Sequence, residues 1–285
     1  MNSIAGKDCK RPVVEREKKD LKDIERSIIK TYRKDIWSKF IKAIKAYNLI
    51  EEGDRIAVGI SGGKDSMLMA KLFQELHRHS DVKFEVVFLA MDPGYDPEIK
   101  ERLIENCKYL NIPIHSYESG IFDVVDKMSK KYPCYLCARM RRGSLYAKAE
   151  EFGCNKLALG HHYNDVIETT LLNVLYSGNF KTMLPKLKSK NFENLELIRP
   201  MYYIEENDII RFTNNSGINA LDCSCVVAAK KTASKRYEIK ELIEKLKENF
   251  EGVEKSIFKS TQNVNLEGIL GWQKGEEKIS FLDEY

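Results

Sequence analysis

Arg55-Ile56-Ala57-Val58-Gly59-Ile60-Ser61-Gly62-Gly63-Lys64-Asp65-Ser66 is the stretch that decides how this chain folds. Its first half is short, apolar and rich in β-branched residues, which reads as a buried strand. Asp65 and Ser66 open an amphipathic run, Met67 to Leu76, which reads as a helix. Ser61-Gly62-Gly63-Lys64-Asp65-Ser66 lies between them. Two residues without Cβ atoms let backbone N–H groups turn inward, and a helix start adds the positive end of its dipole. Such a turn holds a phosphate or pyrophosphate. A Walker A loop needs Gly, four residues, then Gly-Lys-Ser/Thr, and the spacing here is too short for it. The competing reading is a plain glycine turn from strand to helix.

Working outward, Lys83 to Asp92 reads as a second strand, closed by Pro93 and Gly94. Residues 98–110 read as a helix and Ile112 to Tyr117 as a third strand. Residues 144–153 read as a helix ending at Gly153, Lys156 to His161 as a fourth strand, and Asp165 to Leu175 as a helix. The alternation predicts an α/β fold with a Rossmann-like parallel sheet covered by helices on both faces. Ligands of such sheets sit at the carboxyl ends of the strands. The glycine loop, Ala90-Met91-Asp92 and Gly160-His161-His162 all fall at such ends and converge on one crevice.

Before the first strand, residues 1–20 are polar, and 21–50 carry apolar positions at helical spacing: Ile24, Ile28, Ile29, Tyr32, Ile36, Trp37, Phe40, Ile41, Ile44 and Tyr47. After the fourth strand, 176–198 reads as a long connection. Leu197 to Met201 reads as a strand end, Asn207 to Asn215 as a short helix and 230–250 as a charged helix; the last thirty-five residues yield no assignment. Basic side chains cluster at Lys30, Arg33, Lys34, Lys39, Lys42 and Lys45, and again at Lys181, Lys186, Lys188 and Lys190. Each set reads either as an RNA-facing surface or as a solvated one. The expected division is an N-terminal helical extension (1–50), a nucleotide-binding domain (51–225) and a C-terminal helical extension (226–285).

Composition bounds the class. The 285 residues are 43% hydrophobic, enough for a sizeable core, and 32% charged, with a net charge of +4 that does not by itself call for a nucleic acid. No apolar run approaches the ~20 residues of a membrane span, and the first residues show no secretory signal. The expectation is a cytoplasmic protein without membrane contact. Its seven cysteines then read as thiols or metal ligands rather than disulfides.

Four of those cysteines cluster. Pro133-Cys134-Tyr135-Leu136-Cys137 is a Cys-x-x-Cys, readable as a redox dithiol, half a zinc site or part of an iron–sulfur site. It follows a whole nucleotide-binding half, which disfavours a thioredoxin-like motif. Asp222-Cys223-Ser224-Cys225 is the other cluster. Two pairs of sulfurs can close a metal site, whereas Cys107 and Cys154 read as small buried hydrophobes and Cys9 as isolated.

The six-residue loop resembles the signature of the PP-loop ATP pyrophosphatases. Cys134-Tyr-Leu-Cys137-Ala-Arg139-Met-Arg141-Arg142-Gly143, Met183-Leu-Pro185-Lys186-Leu187, Leu159-Gly160-His161-His162-Tyr163-Asn164-Asp165 and Ile198-Arg199-Pro200-Met201 together resemble the tRNA 2-thiocytidine synthetase family. The resemblance covers about residues 35 to 265. The related tRNA 2-thiouridine synthetases usually carry zinc-finger cysteines at both ends, which are absent here.

That resemblance implies ATP and Mg²⁺ bound at Ser61, Gly62, Gly63, Lys64, Asp65 and Ser66, with Ala90 and Gly160 at neighbouring strand ends. It implies a [4Fe–4S] cluster on three cysteines: Cys134, Cys137 and a third, Cys225, with Cys223 as the alternative because the family's Cys-x-x-Cys reads Cys-Ser-Cys here. It implies tRNA as substrate, a cysteine desulfurase or sulfide as sulfur donor, and dimers as a common state among related enzymes. Asp165 is the expected magnesium ligand or proton-handling group, acting alone because Asn164 stands where the family often has another acid. Arg141 and Arg142 would stabilise an adenylate or grip RNA, and His161 and His162 would shape the crevice. Two other readings stay open: an amidating PP-loop ligase, which needs no clustered cysteines, and a non-catalytic metal-binding module on RNA, which needs no ATP chemistry.

Overall fold

The computed structural model describes residues 17–122, 124, 133–221 and 235–283. Its chain divides into two compact units, Met1–Asp165 with Leu184–Ser234, and Val166–Met183 with Lys235–Tyr285.

In the first unit, α1 (Leu21–Ile29), a π-helical turn (Arg33–Trp37) and α2 (Ser38–Tyr47) precede β1 (Arg55–Ile60), α3 (Lys64–His79) and β2 (Glu85–Asp92). Then come α4 (Pro97–Tyr109), β3 (Ile114–Glu118), α5 (Pro133–Glu151), β4 (Lys156–Ala158) and the start of α6 (Tyr163–Ser177). β5 (Lys186–Lys188), β6 (Glu196–Ile198) and α7 (Glu206–Asn215) complete it. The sheet order is β3-β2-β1-β4-β6-β5, parallel except for β5. The chain runs outward from β1 in one direction and then crosses to β4 on its other side. The carboxyl ends of β1 and β4 therefore flank a topological switch point.

The predicted α/β architecture is present, with three shifts. α5 starts at Pro133 rather than near 144, so the Cys-x-x-Cys lies on a helix. β4 stops at Ala158, three residues short of the expected His161. The expected connection over 176–198 contains β5, whose Lys186 bonds the Asn48 carbonyl (3.0 Å) and Glu196 (3.1 Å). That lysine is occupied in the fold, as are Lys39, paired with Glu205 and Asp208, and Lys42, over the Tyr203 ring.

Half of the ten periodic apolar residues reach the core, and Ile29, Trp37, Ile41, Ile44 and Tyr47 are half-buried. Ile24, Ile28, Tyr32, Ile36 and Phe40 are buried, and Phe40 meets Phe73 of α3 edge to face at 5.8 Å. On the other face, Tyr146 and Ala149 of α5 pack on Ala57, Leu89, Leu157 and Leu197. Two buried lysines are fully engaged. Lys71 donates to Glu25, Gln74 and the Leu110 carbonyl, tying α1 to α3. Lys156 pairs with Asp54 at 2.6 Å, both side chains nearly inaccessible, and Asp54 also accepts from Asn155 and from the Glu51 backbone. Removing one partner of a buried pair strands the other charge, typically at 3–5 kcal/mol. Asp54→Ala is expected to cost about 3 kcal/mol in urea unfolding, the low end of that range, because Glu51 stays 3.3 Å from Lys156.

The second unit holds the rest of α6 with α8 (Lys235–Asn249), α9 (Val253–Ser260) and a hairpin, β7 (Gly271–Lys274) and β8 (Glu277–Ser280). Both terminal regions thus contribute helices, and the hairpin occupies part of the stretch that yielded no assignment. Among the described residues no helix is long and apolar enough to cross a membrane.

Candidate active site

The glycine loop is built by two constraints. Gly62 has φ +82°, and a Cβ there would lie 2.5 Å from Leu221 Cδ1 and 3.0 Å from Leu103 Cδ1. Its carbonyl accepts the Leu221 N–H at 2.9 Å. Both backbone angle and space therefore demand glycine, and Gly62→Ala is expected to lose about 1–3 kcal/mol of stability by chemical unfolding. Gly63 caps α3 with extended backbone. Ser66 folds back over it: its hydroxyl donates to the Gly63 carbonyl (2.9 Å) and accepts from the Ser61 N–H (3.2 Å). The loop is thus set by its own hydroxyls, with the start of α3 facing the switch point.

The second wall comes from β4 and the start of α6. Gly160 approaches the loop so closely that a Cβ would sit 3.3 Å from the Asp65 carbonyl carbon. Asp165 accepts the His162 backbone N–H at 3.0 Å. The buried His162 ring then stands between two carboxylates, its Nε2 3.5 Å from Asp165 Oδ2 and 3.8 Å from Asp65 Oδ1. A second carboxylate, Asp65 of α3, thus stands near the same imidazole as Asp165. Asn164, the residue in the expected acid's place, has another task, accepting the Glu206 N–H at 2.9 Å at the start of α7. Glu206 reaches the loop as well, 3.2 Å from Lys64 Nζ, which lies 3.1 Å from Asp65. Burial pulls the Lys64 ammonium down, but Asp65 and Glu206 outweigh it and raise its pKa, so the lysine stays charged.

The third wall is α5. Ala138, Arg141, Arg142 and Leu145 face Ser61, Asp65, Ser66, Gly160 and Asp165 across a crevice of about 400 Å³. Met91 closes its floor at the end of β2, whereas Ala90 is fully buried inside the strand. Gly62, Gly63 and Lys64 form the turn beside the crevice. Behind Arg142, Arg199 is buried with its Nη1 on the Leu184 carbonyl; burial pulls it down to about 10 in spite of Tyr146 and Tyr202. Asp92 is held below the usual carboxylate range: burial works upward, but the N–H groups of Tyr95 and Gly94 and the Lys100 ammonium outweigh it. A depressed carboxylate stabilises the fold above its unfolded value and loses that contribution as pH falls through its folded one. Asp92→Asn is therefore expected to destabilise at neutral pH, with the gap to wild type closing as acid unfolding passes below 3.8.

Cys134 and Cys137 fall in the first turns of α5. Pro133 at the helix start is a residue that position favours. Cys137 is half-buried and packs with Leu136 and Met140 on Met91 and Ile121. Met91 belongs to the crevice as well, and Ala138, the next residue along, lines it. Cys137 is therefore at the rim of the phosphate crevice. Cys223 and Cys225 lie outside the described residues; Leu221, bonded to Gly62, is the last described residue before them. Cys107 and Cys154 are buried among apolar neighbours, and burial pushes the Cys107 thiol up to about 12. Neither offers a thiolate. Among the described residues no group of three or more His, Cys, Asp or Glu is arranged around a metal position.

A six-stranded Rossmann-like sheet with a Ser-Gly-Gly-Lys-Asp-Ser turn at its switch point defines a PP-loop nucleotide-using protein. The PP-loop domain family matches residues 32–224. A tRNA-cytidine(32) 2-sulfurtransferase of Citrifermentans bemidjiense is 38% identical over 234 residues, covering 80% of this chain and 90% of its own. One of Geobacter metallireducens is 36% identical over 245 residues, covering 85% and 93%. The chain belongs to the tRNA-cytidine(32) 2-sulfurtransferase family of PP-loop enzymes. Among solved structures, the U34-tRNA thiolase NcsA of Methanococcus maripaludis with its [4Fe–4S] cluster superposes with a TM-score of 0.64 at 20% identity, covering 96% of this chain and 91% of that one, which supports the shared fold.

Proposed function

We propose that this enzyme replaces the C2 oxygen of a cytidine in tRNA with sulfur, at position 32 as the names of its relatives give it, using ATP, Mg²⁺ and a [4Fe–4S] cluster. The observation that carries the reading is the single crevice: Ala138, beside Cys137, lines the same cavity as Ser61, Asp65 and Asp165. A phosphate cradle with Cys137 at its rim suits activation and sulfuration of one atom.

The residues present fit each group. Gly62 and Gly63 open the loop, and the start of α3 presents N–H groups to phosphate oxygens. Asp65 and Asp165, bridged by His162, suit Mg²⁺, which binds through one or two carboxylates together with substrate phosphates. Lys64 supplies a cation next to the phosphates, shared with Glu206. Cys134, Cys137 and Cys225, with Cys223 as the alternative, are soft thiolate donors of the kind that hold iron–sulfur clusters. When bound, a three-thiolate cluster leaves one iron open to carry the sulfur.

The chain's own residues then act on ATP and the base. The loop and Lys64 hold the phosphates, and Asp65 and Asp165 would hold a Mg²⁺ ion, whose charge would favour departure of pyrophosphate. The C2 oxygen attacks the α-phosphorus; a C–O–P link forms and pyrophosphate departs. Sulfide adds to C2, the C2–O bond breaks, and AMP leaves with the former C2 oxygen. Arg141 and Arg142 line the crevice, where their charge would stabilise an adenylate. Free sulfide supplies the sulfur directly, or a cysteine desulfurase supplies persulfide sulfur that a thiol reductant brings to the sulfide level with two electrons, and the work is cytoplasmic, where tRNA is modified.

Mass spectrometry of tRNA nucleosides from cells lacking the gene tests the reading. 2-Thiocytidine should vanish and return with the wild-type gene but not with its Asp165→Asn form. Unchanged thionucleosides would defeat it, and loss of a 2-thiouridine instead would move the target to uridine.

A further inference from the structure

The start of α3 sets two opposite charges in a row, Lys64 and Asp65. Successive side chains on a helix point apart, yet the Lys64 ammonium lies across the Asp65 carboxylate, 3.1 Å from Oδ1 and 3.2 Å from Oδ2. It also lies 3.2 Å from Glu206 Oε1, which reaches it from α7. Among the described residues, Asp65 and Glu206 are the carboxylates within 4 Å of this ammonium. Asp65 borders the crevice, and its Oδ1 is buried and accepts no hydrogen bond. Such an oxygen suits a metal ion, and the lysine competes with the ion for it.

Glu206 is fixed by bonds that do not use its carboxylate. Its backbone N–H donates to Asn164 Oδ1 at 2.9 Å. Its neighbours Glu205 and Asp208 bind Lys39 of α2 at 2.8 and 3.3 Å. The first turn of α7 is thus anchored on two sides and presents the Glu206 side chain to the loop. Glutamine has the same shape, so it keeps those bonds and removes only the charge. An ion at Asp65 repels the ammonium beside it. With Glu206 opposite, the ammonium has a second carboxylate to rest on and stays at the phosphate loop. Without that charge, ion and lysine must share Asp65, and Mg²⁺ tolerates little departure from its oxygen shell.

We propose that Glu206 is a positioning residue for the metal site: it takes up the Lys64 ammonium when Mg²⁺ occupies Asp65, which leaves that carboxylate to the ion and the lysine beside the phosphates. The inference rests on the reading of Asp65 and Asp165 as Mg²⁺ ligands. Calorimetric titration of the full chain with α,β-methylene-ATP, whose α–β bridge cannot be cleaved, tests it without turnover. The dissociation constant is measured in EDTA and in excess Mg²⁺, and the ratio of the first to the second is the metal's share of the affinity. Glu206→Gln should cut that ratio about tenfold, the low end of what loss of an outer-shell partner costs a metal site, and leave the EDTA value within about twofold of wild type. Glu206→Asp, which keeps the charge, should recover part of the loss. In a Lys64→Met background Glu206→Gln should leave the ratio unchanged, because Glu206 acts through the lysine. An unchanged ratio in Glu206→Gln alone overturns the proposal. So does equal weakening with and without Mg²⁺, which would make Glu206 a builder of the loop only. A full effect that persists beside Lys64→Met also overturns it, and gives the role to the charge of Glu206 itself. Asp165→Asn is the control: if it too leaves the ratio at the wild-type value, the metal reading fails and takes the proposal with it. If Asp165→Asn lowers the ratio and Glu206→Gln does not, the proposal fails alone.

Discussion

Cys137→Ser is expected to abolish thiolation and to bleach the protein while sparing its ATP chemistry. Cys137 is half-buried in the first turns of α5 and packs on Met91 and Ile121. Serine is smaller and occupies the same space, so the helix and the adjoining Ala138, Arg141 and Arg142 stay in place. A hydroxyl is a poor ligand for iron beside a thiolate. Anaerobically reconstituted protein should therefore lose its broad visible absorbance and its iron. Thiolation should fall by more than the ~10–100-fold that loss of a metal's outer-shell partner costs. Pyrophosphate release stimulated by tRNA should persist, because Ser61, Asp65 and Asp165 are untouched. A serine variant that keeps its iron and its thiolation would remove Cys137 from the site.

Asp165→Asn and Asp65→Asn should each lower tRNA-dependent pyrophosphate release by about 10²–10³, the range seen when one electrostatic stabiliser of a transition state is lost. The two carboxylates reach one imidazole, His162, at 3.5 and 3.8 Å, from helices a hundred residues apart in sequence. If they serve one ion, removing the second adds little once the first is gone. The double variant should then resemble the more severe single one. The visible absorbance should remain, the reverse of the Cys137→Ser pattern. Effects that multiply in the double variant would mean separate tasks for the two acids.

The parts of this site that were legible in the sequence are those whose chemistry is local. The glycine loop announces itself because a strand, a turn and a helix are contiguous, and Gly62 is required at that position both by φ and by Leu221. What sequence could not supply was juxtaposition. His162 pairs locally with Asp165, three residues on, but only the close approach of Gly160 to Asp65 brings α3's carboxylate to it as well. Asn164 reads as a lost acid and is a helix cap for α7. Glu206 gave no signal, since an acid in a first helical turn is ordinary, and only the fold sets it on Lys64.

Two elements were hidden for different reasons. The start of α5 mixes Arg139, Arg141 and Arg142 with apolar residues on more than one side, because one face meets the core and another the crevice; that erases helical periodicity, and Pro133 was the remaining clue. The hairpin consists of four-residue strands rich in Lys and Glu around Gly275, too short and too polar for an alternating pattern. β5 is shorter still and lies at the sheet edge, where its lysines are tolerated.

Protein reconstituted anaerobically with iron and sulfide, given ATP, sulfide and unmodified tRNA, offers the most direct measurement: AMP and 2-thiocytidine quantified in the same reaction. Equimolar formation of the two, both requiring ATP, is the expected result. Thiolated base made without ATP, or AMP released with no sulfur entering the tRNA, would show that the loop and the cysteines do not work on the same nucleotide.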